Sequence, residues 1–299
     1  MANEITSANV AQAIVKLVAA RALPALVGNL VMGSLVNRDY EPTLAQAGDT
    51  INVPIPPVMT ANNIAEGGTV QNQNPSLGNA QIVLNSHVEA TFTIPDVVKV
   101  LAAPDLVEVF MRPAINAIAE KIETDLLSLY PLLTANSPVG SGGTALTEAT
   151  IDAAETALFV AKVPQSAQKY LVVSPTAYSQ LRQLSRFTEQ QTAGSGEPIL
   201  TGTLGRIKDF TVVRSQYVPT VSGTTYNVAF ARDAFGLVIR RLPQPLPGTG
   251  AVAEYVEQGN FGLRVIMSYQ PNTLSQQFTV DVLYGVGVLR NNFAVVVRN

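Results

Sequence analysis

The residue types that catalyse reactions or bind metals are scarce in this sequence. His87 is the only histidine and there is no cysteine, so a Ser-His-Asp triad or a histidine metal site would have to be built around one side chain. His87 lies within a run of alternating polar and apolar residues, on the polar side of that run. This position is typical of a solvated or interface histidine rather than a catalytic one.

Other patterns of catalytic and nucleotide-binding sites are incomplete. Ser174 follows a predicted strand and precedes a predicted helix, but the glycines of a nucleophile elbow are missing and Pro175 favours a helix N-cap. None of the six lysines follows a glycine, so there is no phosphate-binding loop. Glu120 and Glu123 have helical spacing, which predicts a solvated or partner-facing helix surface. We therefore assign no catalytic, cofactor or metal site, and an unrecognised enzyme stays an alternative.

Composition limits the function classes. The chain has 299 residues, enough for one large or two medium domains. It is 47% apolar and only 14% charged, where about 25% charged residues is usual, which favours a surface largely covered by other protein. The net charge is −3 without a basic stripe, which argues against sequence-specific DNA binding. The lack of cysteine excludes disulfides and fits a cytoplasmic origin.

No targeting segment or membrane span is predicted at the N-terminus. The first ten residues carry an acid and no basic group, and the apolar stretch 10–36 is interrupted by charges, proline and glycine. Its start instead predicts a short amphipathic helix with Ser7 as N-cap. We interpret this helix as a packing arm, with membrane-surface attachment as the alternative.

The most regular pattern covers residues 81–94 (QIVLNSHVEATFTI). Apolar side chains recur at every second position except Ser86, and polar side chains fill the other side except at Val83. This period predicts one strand with one buried face, about 45 Å long at 3.3 Å per residue. Because strands usually have about 5–6 residues, we interpret it as an arm that reaches beyond its own domain onto another copy of the chain.

A second strand precedes this arm. Residues 49–55 (DTINVPI) also alternate, and Pro54, Pro56 and Pro57 favour an edge or a solvent-facing ribbon. The segment between the two strands is rich in Asn, Gln and Gly and cannot build a core. The two strands together predict an extended β-hairpin with a long polar tip; an ordinary surface hairpin with a floppy loop is the alternative.

A long helix and then an α/β region follow the hairpin. Residues 105–131 have apolar positions at the 3.6 period, with i,i+4 pairs Glu108–Arg112 and Lys121–Asp125. Helices are predicted to begin at Thr147 and Ser174. Strands are predicted at residues 169–173, 209–215, 226–231, 236–241, 252–256, 262–269, 277–289 and 293–297.

The order of these elements resembles the Hong Kong 97 fold of tailed double-stranded-DNA bacteriophage capsids, an α+β fold. NRDYEPTLAQAGDTINVPIP looks like the entry to the extended loop of short-tailed phage coat proteins, and LVVSPTAYSQLRQL like the strand and helix of their axial domain. GRIKDFTVVRSQYVP and AFARDAFGLVIRRLP resemble the strands that follow. VDVLYGVGVLRNNFAVVVR resembles the closing strands. The resemblance covers essentially the whole chain.

The resemblance implies a division of the chain. The implied parts are an N-terminal arm (1–46), an extended loop (47–95), the spine helix of the peripheral domain (96–135), an axial domain (136–240), peripheral strands (241–280) and C-terminal strands returning to the axial domain (281–299). No segment remains for the inserted β-domain of some short-tailed phage coat proteins. Because the chain starts almost at its arm, a separate scaffolding protein or a processed precursor is expected.

The resemblance also implies a function and partners. The chain would be a major capsid protein that assembles in the host cytoplasm into pentamers and hexamers of an icosahedral virion shell. It would enclose double-stranded DNA without sequence-specific binding, with a scaffolding protein, a portal protein and optionally a decoration protein as partners, and with no cofactor and no membrane. The expected subunit-interface residues are Asn62, Glu66, Asn79, His87, Glu89 and Arg112. Glu66 and Glu89 are expected to meet basic residues of an adjacent copy.

Two alternatives and one departure follow from the same resemblance. A bacterial encapsulin, which holds an enzyme in place of a genome, is the alternative within the fold. Some relatives join subunits by an isopeptide bond from a lysine of the extended loop to an asparagine of the next subunit. Here no lysine lies between Lys16 and Lys99, so a shell without covalent links is expected.

Overall fold

The computed structural model describes residues 30–40, 50–57, 59–64, 66–97, 106–184, 205–246, 249–258 and 261–299. Several predicted features lie outside the described residues: the helix after Ser7, most of the arm 1–46, the turn after residue 97 and nearly all of the loop 187–205. The side chain of Glu108 also lies outside them.

The regular structure in the described part of the chain consists of strands and three α-helices. In order, its elements are β1 (Thr50–Ile55), β2 (Gly78–Val83), β3 (Ser86–Pro95), α1 (Leu106–Leu127), α2 (Glu148–Val160), β4 (Lys169–Val173), α3 (Pro175–Arg182), β5 (Arg206–Ile207), β6 (Phe210–Arg214), β7 (Thr220–Val221), β8 (Thr224–Ala231), β9 (Phe235–Arg240), β10 (Ala251–Gln258), β11 (Phe261–Gln270), β12 (Ser275–Val288) and β13 (Ala294–Arg298). Each predicted strand from residue 169 onward is confirmed, with boundaries that move by a few residues. The mixed α and β content is confirmed as well.

A five-stranded antiparallel sheet carries α1 on its apolar face. Its order is β10-β11-β12-β3, and β9 pairs with the second half of β12. The side chain of Phe92 on β3 lies between Phe110 of α1 and Phe278 of β12, with ring centroids 5.8 Å and 5.4 Å away. The predicted long helix ends at Leu127, earlier than expected, and a 3₁₀ turn (Tyr130–Leu132) follows.

A six-stranded sheet forms the second layer of structure with α2 and α3. Its order is β13-β8-β4-β6-β5, with β7 paired to β8, and only β4 and β6 run parallel. The helix predicted to begin at Thr147 is capped by this residue, whose side chain accepts a hydrogen bond from Thr150 N at 3.3 Å. The predicted N-cap Ser174 is confirmed, because its Oγ accepts a hydrogen bond from Ala177 N at 3.2 Å. Ser174 therefore stabilises the first turn of α3.

The last strands of the chain divide between the two sheets. β12 stays in the five-stranded sheet to Val288, so within residues 281–299 only β13 joins the six-stranded sheet. Likewise β9, inside the predicted range 136–240, pairs with β12.

The prediction of one continuous strand over residues 81–94 is wrong. β2 ends at Val83 and pairs with β1, whereas β3 begins at Ser86 and pairs with β12. β3 therefore lies inside the domain and does not reach beyond it. The alternation continues across the break because Leu84 is buried like Ile82 before it, while Val88, Ala90 and Phe92 after it are partly buried.

The expectation for Glu123 is also wrong. Its side chain is fully buried, whereas helical spacing predicted a solvated or partner-facing carboxylate. A segment far away in the sequence covers it: the backbone N–H of Gly33 donates to Glu123 Oε1 at 3.0 Å. Helical periodicity reports only the helix's own faces and does not reveal such a covering segment.

None of the helices in the described ranges is long and apolar enough to cross a membrane.

Candidate assembly surface

The base of the predicted hairpin is built from β1 and β2. The two strands pair antiparallel from Thr50 opposite Val83 to Ile55 opposite Gly78. Their buried side chains form a small core with two residues of the same chain, Val238 of β9 and Leu289. This core comprises Ile51, Val53, Ala80, Ile82, Leu84, Val238 and Leu289. The expectation that this apolar face lies on another copy is therefore wrong for the base of the hairpin.

Three glycines let β2 cross closely over β9 and β12; we call Gly236, Gly285 and Gly287 the glycine seat. A Cβ on Gly285 would lie 2.4 Å from the carbonyl oxygen of Val83, and one on Gly236 would lie 2.6 Å from Ile82 Cδ1. A Cβ on Gly287 would be 3.2 Å from Ile82 Cγ1. Only glycine allows this approach without displacement, so the seat fixes where the hairpin leaves the sheet.

Beyond this base the hairpin tip (residues 59–77) extends into solvent. Every described residue of the tip is exposed except the half-buried Gln73. The tip includes four apolar side chains that are 56% to 78% exposed: Met59, Ile64, Val70 and Leu77. Gln73 Oε1 accepts a hydrogen bond from Thr60 N at 3.0 Å and Gln73 Nε2 donates to Thr60 O, so one side chain joins the two arms of the tip.

Three of the predicted interface residues lie on this hairpin. Asn62 and Glu66 are exposed on the tip. Asn79 is exposed on β2, where its amide donates to Asn52 Oδ1 at 3.0 Å. Asn79 therefore has a partner within the hairpin, while Asn62 and Glu66 lie where a neighbouring copy could be contacted.

His87 and Glu89 lie on the outer face of the five-stranded sheet, opposite to α1. His87 Nε2 is 3.0 Å from Asp281 Oδ2, and Arg264 Nε donates to Asp281 Oδ1 at 2.9 Å. Arg264 Nη2 donates to the second oxygen of Asp281 as well. Glu89 lies directly opposite Asp281 in the β3–β12 register and accepts a hydrogen bond from the Thr91 hydroxyl.

Asp281, at the centre of this cluster, was not predicted from the sequence as a site residue. It is buried in the middle of the sheet and joins three neighbouring strands. The available signal was a single acid in the apolar run of β12, TVDVLYGV, because a buried acid in such a run needs a cationic partner. His87 thus has a structural partner within its own chain.

Arg112 is exposed on α1, apart from the hairpin tip in the chain's fold. Its predicted pairing with Glu108 lies outside the described side chains. The other predicted pair is confirmed: Lys121 Nζ and Asp125 Oδ1 are 2.6 Å apart, and Asp125 Oδ2 accepts a hydrogen bond from Tyr284 at 2.6 Å. Burial first, and then the hydrogen bond to Asp125, raise the pKa of Tyr284 far above its usual range.

Metal and small-molecule chemistry finds little support in the described ranges. They contain no group of three His, Asp or Glu side chains placed to hold a metal ion. A cavity of about 360 Å³ lies beside the start of β4, near Lys169, Arg206 and Asp209. Lys169 Nζ is 2.9 Å from Asp209 Oδ2, so the ammonium group of Lys169 already has an anionic partner within the chain.

Solved structures share this fold. A structure from Mycobacterium phage Che8 has a TM-score of 0.67 at 20% identity, covering 90% of each chain. The capsid of Ralstonia phage GP4 has a TM-score of 0.59 at 13% identity, covering 89% of this chain and 87% of that chain. A virus-like particle from Pyrococcus furiosus has a TM-score of 0.55 at 9% identity, covering 95% and 99%. At such identities the likeness establishes the fold alone.

The family follows from the sequence itself. A family model described as phage capsid protein matches residues 92–299, and no curated protein matches the chain. The chain belongs to the phage capsid protein family: it is a structural coat protein of the virion shell, built from copies of itself. This match favours a viral capsid over the encapsulin alternative, which the shared fold alone does not separate.

Proposed function

We propose that this capsid protein has a Hong Kong 97-type fold and forms pentamers and hexamers of an icosahedral shell around double-stranded DNA. The observation that carries the proposal is the hairpin tip. It extends from a base that the glycine seat holds in place, and its four apolar side chains are exposed in the single chain. Covering such side chains is worth about 25 cal/mol for each Å² removed from water, and a shell supplies neighbouring copies to cover them.

The proposed division of the chain follows the two sheets. The extended loop comprises β1, the hairpin tip and β2, and the peripheral domain comprises α1 with the five-stranded sheet. The axial domain comprises α2, α3 and the six-stranded sheet, to which β13 returns. Residues 1–46 form the N-terminal arm in this proposal, with its last described part packed on the domain.

The proposed partners are those of a capsid that is filled with DNA after assembly. A scaffolding protein guides assembly in the host cytoplasm, a portal protein occupies one vertex, and a decoration protein is an optional addition. The net charge of −3 without a basic stripe supports enclosure of DNA without sequence-specific binding. No cofactor or catalytic role is proposed.

Expression of the full chain with its scaffolding protein tests the proposal. We expect closed shells in electron micrographs, with five- and six-fold rings after reconstruction, and fast sedimentation. Expression of the chain without its scaffold is the control, which shows whether assembly depends on this partner. A chain that sediments as a stable monomer at high concentration, with scaffold present, would contradict the proposal.

A further inference from the structure

Residues 30–40, which we call the strap, are packed against the domain although they belong to the predicted N-terminal arm. Leu30, Met32 and Val36 are buried in the main core. Asn37 extends the contact: its N–H donates to Phe235 O at 3.0 Å and its carbonyl accepts from Leu237 N at 3.1 Å. The strap thus joins α1 to the start of β9.

The contact between strap and α1 is centred on a buried carboxyl group. Glu123 is fully buried and its Oε1 accepts the Gly33 N–H at 3.0 Å, whereas Oε2 has no hydrogen-bond partner. The ion pairs between described residues include none to Glu123. An isolated charge in such surroundings is costly, and a buried carboxyl group usually becomes neutral instead.

The other groups around Glu123 do not compensate a negative charge. Glu120 lies on the same helix, and Tyr217 approaches from the loop after β6. Burial first, and then the negative charges of Glu120 and Glu123, raise the pKa of Tyr217. Burial likewise raises the pKa of Glu123, against the lowering effect of the Gly33 N–H hydrogen bond and of the nearby backbone N–H groups of Met32 and Val31.

We propose that the strap is a proton-linked latch: Glu123 holds the strap as a neutral carboxylic acid, and ionisation of this side chain favours release of the strap from α1. On release the carboxyl group reaches water and loses its proton to solvent. No bond other than O–H breaks and no further reactant is required. The latch itself depends only on the described contacts, while its role in assembly rests on the proposed function, because release would free the chain before residue 40 to contact neighbouring copies.

The direction of the pH dependence follows from linkage. The docked state has the higher pKa, so docking is strongest below the ordinary glutamate pKa of 4.5. It weakens as pH rises towards the raised pKa of the docked state and is constant above it. For a single proton the docking constant changes at most about tenfold per pH unit in that window.

Hydrogen exchange of the unassembled full chain measures the latch. The protection factor of a peptide covering residues 30–37, corrected for the intrinsic exchange rate, is followed between about pH 4.5 and pH 8.5. A peptide covering β8 serves as internal reference. We expect the ratio of strap protection to β8 protection to fall as pH rises in the wild type. Glu123→Gln should give a flat profile with a strongly protected strap, because it keeps an acceptor for Gly33 N–H without a titratable group.

Two controls keep the test decisive. Glu120→Gln, at an exposed position on the same helix, should retain the wild-type pH profile. The infrared band of a protonated carboxyl group should persist in the wild type above the ordinary glutamate pKa of 4.5 and be absent in Glu123→Gln. A wild-type ratio that does not change with pH would overturn the latch, even if Glu123→Gln fails to fold. Since the measurement uses unassembled chain, a failure of shell formation would count against the proposed function alone.

Discussion

Ile82 occupies the space that a side chain on Gly236 would need, with only 2.6 Å between Ile82 Cδ1 and the position of such a Cβ. Ile82 belongs to β2 and Gly236 to β9, more than 150 positions later in the sequence. This contact between distant elements is one of those that hold the base of the hairpin against the sheet. The direction of the hairpin is set within one copy of the chain, before any neighbour is bound.

Substitution in the glycine seat should loosen this base. We expect Gly285→Ala to destabilise the chain by about 1–3 kcal/mol, because the added Cβ meets the backbone oxygen of Val83, which has to move. Urea unfolding of the unassembled chain measures the loss. Gly287→Ala is the matched control: its Cβ would meet Ile82 Cγ1 at 3.2 Å, so its loss should be smaller. Equal losses at both positions would show that the close approach of the Val83 carbonyl oxygen to Gly285 does not set the cost.

Substitutions in the cluster around Asp281 should show that a buried charged residue contributes more to stability than an exposed one. Asp281→Ala removes the carboxylate partner of the nearly buried Arg264, and breaking such a buried pair costs about 3–5 kcal/mol. His87→Ala removes a side chain that is 52% exposed and should cost only about 0–1 kcal/mol. Thermal unfolding of the two variants provides the comparison. A larger loss for His87→Ala would show that His87, and not Arg264, supports Asp281.

The sequence predicts most elements of this fold and misses the contacts that turn them into a site. The alternation of polar and apolar residues identifies β1, β2 and β3 but not the break between β2 and β3. The break is hidden because Leu84 is buried and continues the every-second-residue pattern of β2. The end of β2 approaches a residue distant in the sequence, Gly285, whose missing side chain leaves room for the Val83 carbonyl oxygen. Glu123 fails for the same reason: its helical spacing is that of a surface, and the strap that covers it is 90 positions earlier.

Removal of the hairpin tip should abolish assembly and leave the folding of the chain unchanged. We expect excision of residues 61–72, closed by a short Gly-Ser turn, to leave the thermal unfolding of the chain unchanged. The described residues among those excised are exposed, and Thr60 and Gln73, which pair with each other, are retained. Shell formation should fail because the shortened tip, which also lacks Ile64 and Val70, no longer reaches a neighbouring copy.

A full-length control tests whether the apolar side chains or the length of the tip matters. The double variant Ile64→Ser and Val70→Ser keeps the tip but should slow assembly, as followed by light scattering with scaffold present. Excision that unfolds the chain would show that the tip belongs to the core. Normal shells from the excised chain would exclude the tip from the assembly surface.

The assembled shell should contain no covalent links between subunits. No lysine lies between Lys16 and Lys99, so the whole hairpin, with the exposed Asn62 on its tip, offers asparagine but no amine for an isopeptide bond. The lack of cysteine excludes disulfides. Cohesion must then come from burial and hydrogen bonds, and because each copy contacts several neighbours at once, many weak contacts still give a stable particle. Purified shells boiled in detergent should give a single band at the chain mass of 31.7 kDa. Unassembled chain treated in the same way is the reference, and a ladder of multimers seen only for the shells would place a reactive lysine outside the hairpin.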